Sequence, residues 1–231
     1  MIGIIGAMTV EVEGIKAIMT DKTDSSVSGM TFTVGKLCGK DAVVTVCGEG
    51  KVNAAMCTQT MILKYNPDMI VNTGVGGGLA EGLKIGDVVA ADKVVQHDMD
   101  MSPLGHPIGY ICGVDGVEMY CDKKISDVLL SCIKECGIDC RVGTVATGDQ
   151  FISSGDKKKW LPETFNAAVC EKEGGAIGQV CVRNNVPFGI LRAISDVGDD
   201  EASMSFPEFA ALAAENSIKV MKDFLTKKAH L

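Results

Sequence analysis

The sequence has little of several features that assign a class quickly. No apolar run in its 231 residues reaches the roughly 18 that a membrane span needs. Basic residues are not in excess, since the net charge is −8, and this argues against nucleic-acid binding, which requires a basic face. The apolar N-terminus is short and lacks a basic flank and a cleavage signal, so it predicts a first strand and not a signal peptide.

The sequence also lacks the spacing typical of metal and disulfide sites. The ten cysteines include no Cys-x-x-Cys pair, and most lie in apolar runs, as core residues of a cytoplasmic protein do. Cys132, Cys136 and Cys140 are spaced by four, but Gly137 is expected to end that helix before Cys140. We therefore expect no metal site. The three histidines form no readable Ser–His–Asp arrangement, so nucleophilic catalysis is not indicated.

Short apolar runs alternate with amphipathic stretches along the chain. The predicted strands are 2–6, 30–36, 42–47, 69–73, 87–95, 141–147, 166–170 and 188–195. The predicted helices are 9–19, 51–65, 124–136, 173–184 and 206–227. Several strands are wholly apolar, as in a sheet covered on both faces, and 30–47 indicates a hairpin. We expect one α/β domain over residues 1–231, with three layers and a central mixed sheet flanked by helices.

The most informative stretch is Arg-Ala-Ile-Ser-Asp-Val-Gly-Asp-Asp at 192–200, directly after an apolar run. A buried strand ending in Ser195 and Asp196 places a carboxyl group at the edge where ligands bind in open α/β folds. That carboxyl can accept from an exocyclic amine and, when protonated, donate to a ring nitrogen, as a 6-aminopurine requires. The alternative is a helix N-cap at a strand-to-helix turn.

Other strand ends carry polar or glycine-rich residues. The strand at 70–73 is predicted to run into a glycine-rich turn at 74–78, whose amides could hold a ligand or simply make a tight turn. The G-x-G-x-G spacing there is not a dinucleotide fingerprint. Gly48-Glu-Gly-Lys51 is likewise only half of a Walker loop, and Gly50 more plausibly opens the next helix.

Three further positions have a functional and a structural interpretation. Glu11, in the first turn of the first helix, is either catalytic or matched to the helix dipole. Glu171 and Glu173 could share a face and accept hydrogen bonds from sugar hydroxyls, or one of them caps a helix. Phe151 is either a core residue or a stacking face for a purine, in a chain that is only 5% aromatic.

Together and in this order, these segments resemble the 5′-methylthioadenosine/S-adenosylhomocysteine nucleosidases of the purine nucleoside phosphorylase superfamily. The resemblance covers essentially the whole chain. The segments that carry it are Gly3-Ile-Ile-Gly-Ala-Met8 with Glu11, Asn72-Thr-Gly with Gly77-Gly-Leu-Ala80, Gly148-Asp with Phe151-Ile152, Glu171 with Glu173, and Arg192-Ala-Ile-Ser-Asp-Val197.

The resemblance implies hydrolysis of the N-glycosidic bond of a 5′-thio-substituted adenosine, with no metal or organic cofactor. Asp196 would protonate purine N7, helped by Ser195, while Glu11 activates water and Glu173 binds ribose hydroxyls. Departure of adenine leaves an oxocarbenium-like sugar that carboxylates stabilise. Further substrate-binding residues are Arg192, Phe151, Ile152, Met8, Gly77, Glu171 and Phe206. The family is commonly a homodimer, so we expect an interface on helix 51–65 and the irregular stretch 97–123.

Four positions depart from the family pattern: Val75 replaces a serine near the water, Lys172 a methionine under the ribose, Glu49 an apolar residue by the 5′ group, and His106 an aromatic from the partner. A methylthio pocket should not hold an unpaired Glu. Either Glu49 and Lys172 pair with each other, or the pocket prefers a more polar 5′ group, such as the amino-acid tail of S-adenosylhomocysteine or a free hydroxyl.

Two rival functions remain open from the sequence. A nucleoside phosphorylase of the same superfamily would need an early phosphate-binding arginine, and residues 9–20 contain only Lys16 as a basic group. A non-catalytic nucleoside-binding protein is disfavoured by the presence of Glu11, Glu173 and Asp196, although Val75 and Lys172 keep it open. Hydrolysis is the favoured interpretation.

Overall fold

The computed structural model describes residues 1–153, 155–197 and 202–227, with the side chains of 202–208 left out of the description. Phe206 therefore falls outside the described side chains, and its expected contact with the substrate stays a prediction. Within the described ranges, no helix is both long and apolar enough to cross a membrane.

The described residues form ten strands and six α-helices. The strands are β1 (Ile2–Gly6), β2 (Thr20–Val27), β3 (Met30–Leu37), β4 (Lys40–Val46), β5 (Met69–Gly78), β6 (Val88–Gln96), β7 (Met119–Tyr120), β8 (Cys140–Thr147), β9 (Ala167–Glu171) and β10 (Phe188–Asp196). The helices are α1 (Thr9–Ala17), α2 (Lys51–Tyr65), α3 (Lys123–Glu135), α4 (Gly155–Phe165), α5 (Gly174–Asn184) and α6 (Ala202–Lys227).

The strands form one mixed sheet that curls at one side into a closed ring. Strand order is β10-β6-β8-β9-β5-β1-β4-β3-β2, and β10 also pairs with β5, which closes β5, β10, β6, β8 and β9 on themselves. β1 is parallel to both β4 and β5, whereas β3 and β4 form the antiparallel hairpin expected at 30–47. The prediction of a mixed sheet is therefore confirmed.

Helices cover both faces of this sheet, which gives the three expected layers. Buried residues of α2 and α5, such as Met61 and Ile177, belong to one apolar cluster with one face of the strands. Buried residues of α1, α3 and α6, such as Ile15, Leu129 and Phe224, belong to a second cluster on the other face. The apolar surface buried in each cluster contributes roughly 25 cal/mol per Å² to the free energy of folding. Both clusters therefore hold the helices against the sheet.

The glycine-rich segment differs from its prediction as a turn, because β5 continues through it to Gly78. β5 pairs with β1 only as far as Asn72 and meets β9 at Gly77 and Gly78. Neighbouring chains approach closely along this stretch: a methyl group on Gly76 would lie 2.6 Å from Cγ1 of Val169. Glycine at these positions therefore allows the strands to pack closely, and the segment is not a turn.

The chain also has elements that periodicity did not indicate. β2 is polar and mostly exposed, so it shows no alternating apolar pattern, and α4 contains Pro162 in its interior. The remaining predicted strands and helices are present, with ends shifted by a few residues. α3 ends at Glu135 and Cys140 begins β8, as expected from Gly137.

Candidate active site

A cavity of about 190 Å³ opens at the carboxyl ends of β1, β5, β9 and β10. β1, β5 and β10 are parallel and present their carboxyl ends to one edge, where β9 meets the end of β5 in antiparallel register. Polar residues far apart in sequence therefore meet there. The residues that line it are Ala7, Met8, Glu11, Glu49, Val75, Gly76, Gly77, Gln150, Phe151, Ile152, Cys170, Glu171, Lys172, Glu173, Ser195 and Asp196.

Asp196 is the last residue of β10 and is 4% exposed. The Ser195 hydroxyl donates to its Oδ2 over 3.0 Å, which fixes the orientation of the carboxyl group. Gly77 lies directly beside it on β5, where a methyl group would be 3.0 Å from Oδ1. The strand end therefore supplies a buried carboxyl group with space in front of it.

Glu11, in the first turn of α1, is held by three backbone amides. Its Oε2 accepts from the amides of Ala7 at 2.6 Å and Met8 at 2.9 Å, and its Oε1 accepts from Val75 at 2.9 Å. Burial raises the pKa of Glu11, while Arg192 and these amides act in the opposite direction. Val75 lacks the family's hydroxyl but contributes this amide to the carboxylate.

Glu171 and Arg192 form a buried ion pair behind the cavity. Glu171 Oε2 accepts from the Arg192 guanidinium and from the amides of Glu173 at 3.1 Å and Gly174 at 2.7 Å, while Oε1 accepts from the Thr147 hydroxyl. Arg192 is 1% exposed and does not line the cavity. The protein itself thus occupies the Glu171 oxygens, and Arg192 acts on the site through Glu171.

Glu173 lies two residues after the end of β9 and directly precedes α5. Its Oε1 accepts from the Gly50 amide at 2.8 Å, which links the start of α5 to the start of α2. Burial, and then the neighbouring Glu171 charge, raises the pKa of Glu173 to about 7. One of its oxygens is thus tied to the backbone, and the carboxyl group is poised to change charge near neutral pH.

The loop after β8 carries Phe151 and Ile152 to the cavity. Phe151 is 44% exposed, whereas Ile152 is buried. The loop is anchored because Asp149 accepts from the Lys51 amide at 2.8 Å and its own amide donates to Asp98 at 2.9 Å. The Lys51 ammonium in turn donates to Asp98 at 2.6 Å. This network holds the loop that brings an exposed aromatic side chain to the cavity lining.

Glu49 and Lys172 lie at the cavity mouth and pair with each other. The ion pair of the first account expected from the sequence is therefore present, and the 5′ preference of the second account stays a prediction. His106 is not among the residues that line this cavity, and its ring stacks on Tyr110 with centroids 4.1 Å apart. Its expected role over a partner's pocket stays a prediction.

Cys170 is a lining residue that sequence reasoning missed. It is buried on β9, where burial and the Asp196 and Glu171 charges raise the pKa of its thiol to about 12. Its position in an apolar run gave no sign of a site. Ala7 and Gln150 were also missed, because small or single polar residues in strands and loops carry no pattern.

Acidic residues outnumber basic ones in the cavity lining. Among the described residues, five carboxylic residues line the cavity, and the one basic residue, Lys172, is already paired with Glu49. Buried Arg192 compensates from behind. Within the described ranges, no group of three or more His, Cys, Asp or Glu side chains is arranged to hold a metal ion. Such a wall favours protonated and cationic species over anions.

Comparison with known proteins agrees with this geometry. A family model described as the phosphorylase superfamily matches residues 1–226. A 5′-methylthioadenosine/S-adenosylhomocysteine nucleosidase of Haemophilus influenzae (strain PittEE) is 40% identical over 227 residues, covering 98% of this chain and 99% of the relative. The chain belongs to this nucleosidase family within the phosphorylase superfamily.

Solved structures of the nucleosidase family share the fold. The Neisseria meningitidis nucleosidase in complex with methylthio-immucillin-A has a TM-score of 0.94 at 32% identity, over 97% of this chain and 98% of that one. The native futalosine hydrolase of Helicobacter pylori has a TM-score of 0.93 at 33% identity, over 100% of this chain and 97% of that one. The nucleoside phosphorylase-like fold expected from the sequence is confirmed.

Proposed function

We propose that this protein hydrolyses the N-glycosidic bond of 5′-methylthioadenosine and S-adenosylhomocysteine, releasing adenine and a 5-thio-substituted ribose. The observation that carries the proposal is the cavity wall, on which the buried carboxyl groups of Glu11, Glu171, Glu173 and Asp196 converge. The named activity of the relatives agrees with it.

Asp196 is the general acid in this proposal. In its protonated form it donates its proton to adenine N7 while the C1′–N9 bond breaks and the bonding pair goes to N9. Adenine then leaves as a neutral molecule, which lowers the barrier. The Ser195 hydroxyl holds Oδ2 at 3.0 Å and so turns the other oxygen toward the base.

Glu11 is the general base, and Glu173 binds the ribose hydroxyls. A water oxygen attacks C1′, and its proton passes to the Glu11 carboxylate. The two carboxylates also stabilise the positive charge that develops on the sugar. Three amides fix the Glu11 side chain at 2.6 to 2.9 Å, so little reorganisation is needed during the reaction. Glu171 supports Glu173 and Arg192 from behind.

The same wall argues against phosphorolysis. A phosphate dianion would need cationic side chains, but in the described part of the lining the one basic residue, Lys172, is paired with Glu49 at the mouth. Bringing a dianion among buried carboxylates is unfavourable because like charges repel strongly at low dielectric. Water, being neutral, is not excluded in this way.

The test is adenine release from 5′-methylthioadenosine, followed by chromatography in phosphate-free buffer and again with added phosphate. We expect free methylthioribose and a rate that phosphate does not change. A requirement for phosphate, with a sugar 1-phosphate as product, would make the protein a phosphorylase. Binding without turnover at catalytic enzyme concentration would make it a nucleoside-binding protein.

We further propose a homodimer formed through α2 and the loop that contains His106. Val52 and Leu63 on α2 are each 77% exposed, and Leu104 on the loop is 72% exposed. Apolar side chains at such exposure favour burial against a second surface. Light scattering should give twice the chain mass, and Leu63→Glu should return the monomer mass.

The cysteines support a cytoplasmic location for this protein. Ten cysteines are unpaired and six of them are buried, which suits a reducing compartment. We also propose that residues 1–231 act as one nucleosidase domain, because both apolar clusters combine residues from the first and the later strands.

A further inference from the structure

Two opposite charges, Glu49 and Lys172, face each other at the cavity mouth. Both side chains line the cavity, and their heads pair while the side chains stay 57% and 28% exposed, respectively. They are the part of the lining that meets solvent with formal charge. A substituent extending outward from the bound sugar would therefore reach them first.

The backbone places this pair beside the sugar-binding carboxylate. Glu49 lies between Gly48 and Gly50, whose φ angles of 85° and 94° are rarely adopted by residues with side chains. The Gly50 amide donates to Glu173 at 2.8 Å, and Lys172 is the residue directly before Glu173. The backbones of both charged residues thus lie next to the group that holds the ribose.

The pair is weak enough for a ligand to separate. An exposed ion pair contributes at most about 1 kcal/mol, because water solvates both heads nearly as well as they solvate each other. A group bearing both an ammonium and a carboxylate can offer each head a new partner. A neutral methylthio group offers neither, and a single charge leaves one head without its partner.

We propose that Glu49 and Lys172 form a subsite for a zwitterionic α-amino-acid group at the end of the 5′ substituent. Lys172 binds the carboxylate and Glu49 binds the ammonium. The protein therefore uses S-adenosylhomocysteine in preference to 5′-methylthioadenosine. This inference rests on the proposed function, because it assumes that the sugar lies against Glu173.

Selectivity variants test the inference directly. We expect Glu49→Gln and Lys172→Met each to lower the ratio of kcat/KM for S-adenosylhomocysteine to that for 5′-methylthioadenosine by about fivefold, the value of one exposed ion pair. The selectivity ratio is the readout, because a change that affects both substrates alike cancels in it. Lys123→Met, which breaks a remote exposed pair with Asp127, is the matched control.

Singly charged analogues separate the two heads. With an adenosine whose 5′-thioether carries only an ammonium, Glu49→Gln should be the more damaging change. With an analogue that carries only a carboxylate, Lys172→Met should be the more damaging change. In the charge-reversed double variant, Glu49→Lys with Lys172→Glu, position 172 should bind the ammonium analogue and position 49 the carboxylate analogue.

The outcomes distinguish this inference from the proposed function. A wild-type preference for 5′-methylthioadenosine, or a ratio that none of the variants changes, would overturn the subsite while leaving the hydrolase intact. Absence of adenine release from both nucleosides would overturn the proposed function. In that case the ratio of the two dissociation constants, measured by calorimetry in the same variants, decides the subsite.

Discussion

The floor and the mouth of the cavity differ in how far their charged groups are buried and in what binds them. The floor, formed by Glu11, Glu171, Glu173 and Asp196, is at most 8% exposed, and backbone amides, hydroxyls or Arg192 hold its carboxyl groups. The mouth, formed by Glu49, Lys172 and Phe151, is 28% to 57% exposed. The charged heads of Glu49 and Lys172 there pair with each other.

This difference separates chemistry from recognition. At the floor, burial makes the charged form of each acid unfavourable. It therefore raises the pKa values of Glu11 and Glu173. Those shifts prepare groups to exchange protons. At the mouth, solvent screens the pair, so its charges can change partners at small cost and suit recognition of a variable 5′ group.

Asp196→Asn at the floor is the substitution for which we expect the largest effect. An amide keeps the shape but cannot deliver a proton, so we expect kcat to fall by about a thousandfold, or about 4 kcal/mol. Adenine release measured by chromatography is the readout, with Asp139→Asn on the exposed side of the chain as the control. Retention of about a tenth of the activity would remove Asp196 from the role of general acid.

Glu171→Gln tests whether the floor depends on its buried ion pair. The amide keeps the size of the side chain but leaves the Arg192 cation, which is 1% exposed, without its principal countercharge. We expect a loss of about 3 kcal/mol or more in the free energy of unfolding, measured by denaturant titration. Exposed Glu163→Gln is the matched control, and equal losses in both variants would contradict the assignment.

Gly74→Ala tests whether β5 needs glycine for the sake of Glu11. A methyl group at Gly74 would overlap the Glu11 carboxylate, which three amides hold in place. We expect kcat/KM to fall by at least about tenfold, because displacing a positioned base by less than 1 Å is costly. Gly116→Ala, where a methyl group meets nothing within 4 Å, should keep full activity.

The carboxyl groups of the floor were largely predictable from the sequence, and the contacts that hold them were not. Asp196, Glu11 and Glu173 lie at or just after the ends of apolar strands, and strand ends of an α/β sheet are where such groups meet. The Glu171–Arg192 pair joins residues 21 positions apart and needs the tertiary fold to appear. The strand through the glycines was predicted as a turn, because close packing by Val169 and Glu11 is invisible in a single chain segment.

The smallest effect we predict is a change in the pH dependence of stability in Glu173→Gln. In the folded protein the pKa of Glu173 is about 7, raised from an ordinary 4.5, so its contribution is fully present below the lower value and is lost as pH rises through the higher one. The wild type should therefore lose about 1 kcal/mol more than Glu173→Gln between pH values near 6 and near 8. The glutamine can keep the bond from the Gly50 amide, so the difference reports charge and not the loss of a hydrogen bond. Denaturant unfolding at both pH values measures it, with exposed Glu163→Gln expected to follow the wild type. Parallel curves for Glu173→Gln and the wild type would mean that the floor carboxylate is solvated like the groups at the mouth, and the contrast between the two regions would fail at this residue.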